Sequence, residues 1–341
     1  MKELSAGVVG MGVMGMLHTG ILNSLENVKV TAMADTEKFV IGFLQKSLSN
    51  VKIYDDYKKM LSESNLDLLF ITTPVNSHIK IASDCIKNNI PFFIEKPLGL
   101  NASECESLCK LLSTNNVINM TGFYLRFADT FCKAKELLDD GIIGGILKIN
   151  AHVSRPLILK KNTGWRFKKE ISGGGVLIDI GISLVDLLLW YFGNIKSVQG
   201  TYETNFLPEI EDFVSAKLTF EAGFECNFES TWNVKNQRLQ ETNIEIVGEN
   251  GSLKVNEDYV NLKLNKTNDE QLFYKPTLYN GVSFDIGGPM YTREDVDFVN
   301  CIRSGKQSML NALNILKTQS VIESIYKSCK SHKTEQVSYI D

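Results

Sequence analysis

Three glycines near the start of the 341-residue chain have the spacing of a phosphate-binding turn. Gly10, Gly12 and Gly15 form a G-x-G-x-x-G pattern that follows an apolar run and precedes a stretch with helical spacing. In such a turn the first glycine allows a tight bend, the second lets backbone N–H groups approach a pyrophosphate, and the third lets helix and strand pack closely. The pattern predicts a dinucleotide site with Val13 and Met14 at the helix N-terminus, where phosphate charge is favoured.

Asp35 lies 25 residues beyond Gly10, at the end of the second predicted strand. A carboxylate at this place can accept hydrogen bonds from both ribose hydroxyls of a dinucleotide, and it would repel a 2′-phosphate. The sequence therefore favours NAD over NADP as the cofactor. Lys38 weakens this preference because its positive charge is close in sequence, and the alternative interpretation of Asp35 is a simple turn former.

Two loops after later predicted strands carry further polar residues. Their candidate cofactor-binding residues are Thr72, Thr73, Pro74, Asn76 and His78 in the first loop, and Glu95 and Lys96, followed by Pro97, in the second. Both loops lie at the carboxyl edge of a predicted parallel sheet, where the nicotinamide end of a cofactor is expected. A proline restricts the residue before it to extended conformations, so the backbone aims Lys96. The alternative is a solvated lysine that is ion-paired with Glu95.

A predicted helix from Val176 to Phe192 follows the run Gly173-Gly174-Gly175 and is apolar on nearly every side. A helix of this kind is expected to be buried. Asp179, Ser183 and Asp186 occur at i, i+4 and i+7 and would form one polar stripe. Buried carboxylates need partners, so the stripe is expected to face a polar cavity or a cation. Hydrogen bonds from nearby backbone are the alternative for both aspartates.

The elements that must position these residues follow from the apolar periodicity. From residue 5 to 122, short apolar runs alternate with stretches of helical spacing. The runs that predict strands are Ala6 to Val9, Val28 to Ala34, Leu66 to Ile71, Ile90 to Ile94 and Val117 to Thr121. Such alternation predicts an α/β fold with a parallel sheet covered by helices on both faces.

Residues from about 123 onward change character. Longer alternating strands, such as Lys148 to Ser154 and Asp212 to Phe220, predict a largely antiparallel sheet. Asn250-Gly251 between two apolar runs predicts a hairpin. Amphipathic helices are predicted near the C-terminus, over Glu294 to Arg303 and Ala312 to Lys327.

Composition limits the class of partner. The chain has 36 Lys+Arg against 40 Asp+Glu, a net charge of -4, so no basic field indicates nucleic acid or an anionic membrane. A small-molecule partner is expected. Seven scattered cysteines without a C-x-x-C pattern indicate reduced thiols and no metal site. No apolar run reaches about 18 residues, so no membrane span is expected, and the predicted location is the cytoplasm.

Taken together and in order, the motifs resemble the Gfo/Idh/MocA family of sugar and inositol oxidoreductases. The residues that carry the resemblance are Val9 to Gly15, Thr72-Thr73-Pro74 with His78, Glu95-Lys96-Pro97, Gly122 to Phe127, Gly173-Gly174-Gly175 leading to Asp179, and Val247 to Gly251. The resemblance implies a Rossmann dinucleotide-binding domain over residues 1–122. It also implies an α/β domain with an open sheet over 123–341, which binds substrate and forms a homodimer or homotetramer.

The activity that the resemblance implies is hydride transfer between NAD and a secondary alcohol of a sugar, inositol or sugar nucleotide. It places Lys96 beside the reacting hydroxyl. The family usually carries D-x-x-x-H on the buried helix, whereas this chain has Asp179 and Ser183. A serine has no pKa near neutrality and cannot by itself take a proton from an alcohol. We therefore expect Lys96 to act as acid/base, with Asp179 orienting it and Ser183 relaying. The alternatives are a catalytically silent NAD-binding sensor and an NAD-dependent glycosidase.

Substrate contacts are expected from a set of aromatic, basic and acidic side chains in the second half of the chain. These candidates are Tyr124, Arg126, His152, Arg155, Trp165, Arg166 and Asp179. Guanidinium groups suit carboxylates and phosphates, and a tryptophan face suits a sugar ring or nicotinamide. The set favours an anionic sugar, either uronic or nucleotide-linked. The alternatives are a domain-bridging ion pair for Arg126 and Arg166, and a solvated or interface histidine for His152.

Overall fold

Six short strands near the N-terminus alternate with five helices, one strand more than the five apolar runs predict. The computed structural model describes residues 2–157, 164–279 and 281–339. The strands are β1 (Leu4–Val9), β2 (Val28–Ala34), β3 (Lys52–Tyr54), β4 (Leu68–Ile71), β5 (Phe92–Glu95) and β6 (Asn119–Gly122). The helices are α1 (Val13–Ser24), α2 (Lys38–Ser47), α3 (Tyr57–Glu63), α4 (His78–Lys87) and α5 (Ala102–Thr114).

These six strands form one parallel sheet in the order β3-β2-β1-β4-β5-β6. This is the doubly wound Rossmann order, and it confirms the predicted fold class of the N-terminal half. All four residues of β4 are buried, because helices cover both faces of a parallel sheet. The strand order reverses between β1 and β4, so a ligand is expected in the crevice at the carboxyl ends of these two strands.

The remaining strands build a second sheet of nine strands. They are β7 (Ile146–Ser154), β8 (Ile195–Glu203), β9 (Phe213–Phe220), β10 (Glu225–Thr231), β11 (Glu241–Gly248), β12 (Gly251–Val255), β13 (Tyr259–Leu264), β14 (Glu270–Tyr274) and β15 (Glu335–Gln336). The remaining helices are α6 (Asp129–Asp139), α7 (Lys169–Ser172), α8 (Ile182–Phe192), α9 (Lys275–Leu278), α10 (Pro289–Ser304) and α11 (Ala312–Ser331).

The second sheet is open and largely antiparallel, as predicted. Its order is β14-β13-β12-β11-β7-β10-β9-β8-β15, and β7 and β10 are its parallel pair. Glu249 and Asn250 connect β11 to β12, which confirms the hairpin predicted at Asn250-Gly251. Burial alternates along β11 and β10, so one face of the sheet is covered and the other is open.

The chain divides into two compact units, each made of two segments. The first unit comprises Met1–Tyr124 and Val282–Leu316, and the second comprises Leu125–Gly281 and Lys317–Asp341. The sequence division after residue 122 therefore lies close to the end of the first segment, but 282–316 joins the first unit. Hydrogen bonds hold this segment there: the Thr121 N–H donates to the carbonyl of Leu310 (2.8 Å), and Ala312 donates to the side chain of Asn119 (2.8 Å).

A nearly continuous helical stretch, Lys169–Phe192, runs through the second unit and contains one π turn, Leu177–Gly181. It is long and apolar enough to cross a membrane by composition. However, 83% of its most apolar window is buried inside the protein, as expected for a core helix. A π turn inserts an extra residue into a helix and is common at functional sites. This turn carries Asp179.

Candidate active site

The glycine-rich turn joins β1 to α1 at the point where the strand order reverses. Gly10 has φ of 92°, and a Cβ there would lie 2.7 Å from the backbone nitrogen of Thr73. A Cβ on Gly15 would collide with the carbonyl oxygen of Gly10. The first and third glycines are therefore required by backbone packing. A Cβ on Gly12 would meet open space, so room remains beside the helix N-terminus.

The N-terminus of α1 fits the phosphates of a dinucleotide. Gly12 is its N-cap residue, no side chain caps it, and its first turn contains no acidic residue. The backbone N–H groups of Val13 and Met14 thus lie at the positive end of the helix dipole. This arrangement is suited to bind a pyrophosphate.

Asp35 ties the end of β2 to the glycine turn. Its Oδ2 accepts a hydrogen bond from the N–H of Met11 (2.6 Å), and its Oδ1 accepts one from the N–H of Glu37 (2.8 Å). The carboxylate therefore organises the turn, as the alternative interpretation proposed. Each carboxylate oxygen can accept a second hydrogen bond, so the predicted ribose contact is compatible with this role.

The two polar loops are hydrogen-bonded to the glycine turn and to each other. The Thr72 hydroxyl donates to the carbonyls of Gly10 (2.7 Å) and Val9 (3.0 Å). The His78 ring lies 2.9 Å from the carbonyl of Pro97 through Nδ1 and 2.9 Å from that of Thr73 through Nε2. Burial lowers the pKa of His78, so the neutral ring donates from one nitrogen at a time. His78 thereby holds the two predicted cofactor loops together.

Two other predicted cofactor residues in the first loop differ in their surroundings. The Thr73 hydroxyl accepts a hydrogen bond from Ser77 (2.7 Å), and Pro74 precedes a short helical turn that leads into α4. Asn76 is exposed. Thr73 is therefore held in place by a hydrogen bond within the loop, whereas the side chain of Asn76 is accessible to a ligand.

Lys96 is half-buried at the carboxyl end of β5. Its backbone N–H donates to Oε2 of Glu95 (3.1 Å), and Oε1 of Glu95 lies 3.1 Å from Nε2 of His18. Tyr124, also in the first unit, stacks on Tyr291 with 4.6 Å between ring centroids. Sequence analysis missed His18 and Tyr291 because neither belongs to a recognisable motif.

In the second unit, Asp179 lies between two arginines. Its Oδ2 is 3.5 Å from Nη1 of Arg155, and its Oδ1 is 3.4 Å from Nε of Arg166. The Arg166 guanidinium lies over the ring of Trp165, 4.4 Å from the centroid. The structure thus brings four predicted substrate residues together. Because the arginine side chains are 36% and 37% exposed, they remain open to a ligand.

Glu211 fixes the start of the helix that carries Asp179. One oxygen of its buried carboxylate accepts hydrogen bonds from the N–H groups of Gly175 (2.9 Å) and Leu177 (3.2 Å) and from the hydroxyl of Tyr326 (2.7 Å). Burial raises the pKa of Glu211, although these hydrogen bonds oppose the shift. Sequence analysis missed this role because Glu211 and Tyr326 are 115 residues apart.

Arg126 is committed to a buried ion pair rather than to the Asp179 cluster. Its Nε and Nη2 each donate to one oxygen of Asp186 at 2.7 Å, and the Thr318 hydroxyl lies 3.4 Å from the same carboxylate. Burial raises the pKa of Asp186, and Arg126 opposes that shift. The expected substrate contact of Arg126 is therefore corrected. Two of the guanidinium nitrogens that could bind a substrate carboxylate already bind Asp186.

Asp179 and Asp186 each face a cation, as expected, but they do not share one polar stripe. Asp179 contacts Arg155 and Arg166, whereas Asp186 contacts Arg126, and Ser183 is buried with 3% of its surface exposed. The reason is the π turn, which adds a residue between the start of the helix and α8 and breaks the i, i+4, i+7 alignment.

His152 lies on the face of the second sheet that is turned away from Asp179. On β10, Ser230 donates to the carbonyl of Val176 at the start of the helix, so the neighbouring Glu229 points to the other face. His152, on β7, lies opposite Glu229, and the Nδ1 of His152 is 3.5 Å from the Glu229 carboxylate. The expected contact of His152 with substrate is corrected, because the sheet separates it from the Asp179 cluster.

Two family models match the chain. Residues 4–123 match the oxidoreductase family GFO_IDH_MocA, described as an NAD-binding Rossmann fold. Residues 131–254 match the GFO/IDH/MocA C-terminal domain. The two matches together cover most of the chain and include the glycine turn, both polar loops and the Asp179 cluster.

Curated relatives and solved structures agree with these matches. Oxidoreductase P35 of Formosa agariphila is 29% identical over 260 residues, which cover 74% of this chain and 79% of that protein. The scyllo-inositol 2-dehydrogenase (NAD(+)) of Bacillus subtilis is 24% identical, over 92% of this chain and 90% of that protein. A structure of levoglucosan dehydrogenase in complex with NADH has a TM-score of 0.89 at 19% identity, over 99% of this chain and 100% of that one. The structural likeness shows that the fold is shared.

Proposed function

We propose that this chain, which belongs to the Gfo/Idh/MocA family of oxidoreductases with an NAD-binding Rossmann domain, transfers a hydride between NAD and a secondary alcohol of an anionic sugar. The relatives named above include an NAD-dependent inositol dehydrogenase, which supports a polyol or sugar as the substrate. The observation that carries the proposed substrate class is the Asp179 carboxylate between two partly exposed arginines.

The first unit holds the cofactor in this proposal. The N–H groups at the start of α1 bind the pyrophosphate, Asp35 binds the ribose, and the loops around Thr72 and Lys96 flank the nicotinamide. Bound NAD⁺ supplies the acceptor for the hydride that leaves the carbinol carbon. The protein contributes position and charge.

Lys96 is the proposed acid/base. As an amine it accepts the proton of the substrate hydroxyl while the C–H electron pair leaves with the hydride, so the alcohol becomes a carbonyl. In the reverse direction its ammonium form returns the proton. Ser183 stands where relatives of this family usually have a histidine, and a hydroxyl cannot take that proton near neutral pH. Pairing of Lys96 with Asp179 and a relay through Ser183 stay predictions.

Local charge supports an anionic substrate. The chain as a whole is acidic, with a net charge of -4. The segment 155–169 nevertheless has six basic residues and no acidic one: Arg155, Lys160, Lys161, Arg166, Lys168 and Lys169. Within the cluster, one carboxylate faces two guanidinium groups, which leaves one excess positive charge. Guanidinium groups bind carboxylates and phosphates in a bidentate manner.

The proposed substrate class is tested with matched sugars. Initial rates of NAD⁺ reduction are measured with glucuronate against glucose, galacturonate against galactose, and UDP-glucose as a nucleotide-linked sugar. We expect kcat/KM at least about tenfold higher for the acidic member of an active pair. Arg166→Gln should raise KM for the acidic sugar about tenfold and leave KM for the neutral one unchanged. Lys110→Gln removes an exposed charge from α5 in the first unit and is the matched control. A kcat/KM for the neutral member equal to that for the acidic member of a pair would contradict the proposed substrate class.

A catalytically silent NAD-binding protein is the second candidate function. The feature that favours it is the buried Ser183, which by the family resemblance takes the place of a histidine. The two candidates differ in one outcome: the silent protein binds NADH but reduces NAD⁺ with no sugar of the panel.

We also propose that the open face of the second sheet joins copies of this chain into a homodimer or homotetramer. A groove on this face is lined by polar side chains, among them Asn150, His152, Lys217, Asn227 and Glu229. The measurement is light scattering of the purified protein, and a monomer at micromolar concentration would contradict the proposal. The cytoplasm stays the predicted location.

A further inference from the structure

A row of charged groups leads from α10 to Lys96 within the first unit, and its first two members, Asp295 and His18, have no part in the proposed function. His18 on α1 has no exposed surface. Its Nδ1 lies 2.9 and 3.0 Å from the two carboxylate oxygens of Asp295 on α10, and its Nε2 lies 3.1 Å from Oε1 of Glu95. The other oxygen of Glu95 accepts the backbone N–H of Lys96. The row therefore runs Asp295, His18, Glu95, Lys96.

The geometry favours a charged imidazolium, and the charge of His18 in turn opposes the rise that burial causes in the pKa of Asp295. Carboxylate oxygens only accept hydrogen bonds, so each nitrogen of His18 must carry a proton to bond to its partner. Burial lowers the pKa of His18, but Asp295 and Glu95 outweigh burial and raise it to about 10. At neutral pH the ring is thus a fixed cation between two acidic side chains.

Aromatic rings surround the imidazolium and exclude water. The His18 ring lies 5.2 Å from Phe70 on β4 and 5.0 Å from Phe93 on β5, measured between centroids. Phe298 on α10 packs against both phenylalanines, at 5.6 and 6.0 Å. Hydrogen bonds between charged groups are strong in such low-dielectric surroundings. The contacts of His18 therefore restrain Glu95 more firmly than solvent-exposed contacts would.

A purely structural need does not account for this row. Well-packed apolar side chains often stabilise a core as well as a buried ionic network does. This network instead ends on the peptide N–H of the residue that the proposed function makes its acid/base. We propose that Asp295 and His18 are positioning residues, which hold Glu95 and thereby the backbone of Lys96 in place for proton transfer. The inference rests on the proposed function in its assignment of Lys96.

The titratable groups that face this row define its pH dependence. Asp295 and Glu294 come from α10, Glu95 comes from β5, and Tyr291 faces Glu95. Burial raises the pKa values of Glu294 and Tyr291 and so favours their neutral forms. Asp295 is thus the main group outside β5 that keeps His18 charged.

The variant Asp295→Asn tests the inference. It is nearly isosteric but removes one of the two charges that raise the pKa of His18, so the ring loses its proton at lower pH than in the wild type. As the pH rises from about 7 to about 9, we expect the ratio of variant to wild-type kcat to fall about tenfold. The Kd for NADH should stay within about threefold, because the glycine turn is untouched.

Phe298→Leu is the matched control, since Phe298 is buried in the same aromatic surroundings and makes no ionic contact. It should lower thermal stability and leave the kcat ratio independent of pH. If the ratio of variant to wild-type kcat is independent of pH in Asp295→Asn as well, the inference is overturned. Asp295 and His18 would then serve only the stability of the fold.

A second measurement separates this inference from the proposed function. Hydrogen exchange of the Lys96 amide, followed by mass spectrometry on a peptide that spans residues 92–98, needs no substrate. We expect exchange at least about tenfold faster in Asp295→Asn and unchanged in Phe298→Leu. If the wild type reduces NAD⁺ with no sugar, the proposed function fails, and this exchange still decides whether the row restrains Lys96. Equal exchange in both variants and the wild type would contradict the restraint.

Discussion

The Tyr326 hydroxyl donates a 2.7 Å hydrogen bond to the buried carboxylate of Glu211, and the same oxygen accepts the N–H groups of Gly175 and Leu177. A residue of α11 and a residue before β9 thus hold the start of the helix that carries Asp179. The place of Asp179 beside its arginines therefore depends on an interaction across the second unit.

Tyr326→Phe should destabilise the protein, because Glu211 stays buried and loses a donor. We expect the free energy of unfolding to fall by about 1–3 kcal/mol, measured by urea denaturation. The exposed Tyr202→Phe is the matched control and should change stability by less than about 0.5 kcal/mol. Equal stability of the two variants would show that the Glu211 contact does not support the fold.

Glu294→Gln should stabilise the protein increasingly as the pH rises. Glu294 is fully buried, and neither carboxyl oxygen has a hydrogen-bond partner in the part of the chain that the structure describes. Burial raises its pKa well above 4.5, so the folded protein keeps a proton that the unfolded chain releases. Stability is therefore lost as the pH rises above the unfolded pKa.

The advantage of Glu294→Gln should grow by about 1.4 kcal/mol per pH unit until Glu294 ionises in the folded protein. Urea denaturation at about pH 5.5, 6.5 and 7.5 measures it, with the exposed Glu3→Gln as control. A difference from the wild type that does not vary with pH would mean that Glu294 is not protonated in the folded state.

Asp35→Asn should weaken NADH binding and shift the preference toward NADPH. The variant loses the negative charge that repels a 2′-phosphate and weakens the hydrogen bond to Met11. We expect the Kd for NADH, from fluorescence titration, to rise about tenfold and the ratio of the NADPH to the NADH Kd to fall at least about tenfold. Asp55→Asn, at a 73% exposed side chain, should change neither value. An unchanged ratio would leave Asp35 with the turn-forming role alone.

Asp186→Asn should cost about 3 kcal/mol in the free energy of unfolding, because Arg126 is left partly buried without its counter-charge. The double variant Arg126→Met/Asp186→Leu should recover most of the loss, since it removes both charges. Chemical denaturation measures both. If the double variant is no more stable than Asp186→Asn, the unpaired charge of Arg126 is not the cause of the lost stability.

The sequence predicted the parallel sheet well, because its strands are continuous apolar runs and its motifs are local. β2 has the predicted bounds. β3 and α2 were not predicted: β3 has only three residues, and α2 exposes Phe39 and Phe43, which obscures its apolar face. Local periodicity is a weak signal in such elements.

The candidate site was predicted where a residue sits in a motif and missed where it depends on a distant partner. Lys96 and Asp179 could be singled out from short patterns. The contact of His18 with Asp295 joins residues 277 apart, and local spacing contains no information about such pairs. The π turn at Leu177–Gly181 was missed as well. The predicted stripe of Asp179, Ser183 and Asp186 assumed a regular period of 3.6 residues, and the helix departs from that period at the π turn.

Reduction of NAD⁺ across the sugar panel, by wild type and Lys96→Ala side by side, tests the central claim most directly. The absorbance band of reduced nicotinamide is followed, and the NADH Kd of both proteins is measured first. We predict turnover with at least one acidic sugar, and a kcat lower by about 10²- to 10⁴-fold in Lys96→Ala with the NADH Kd unchanged. Tight NADH binding without turnover on any sugar, or a kcat unaffected by Lys96→Ala, would contradict the account.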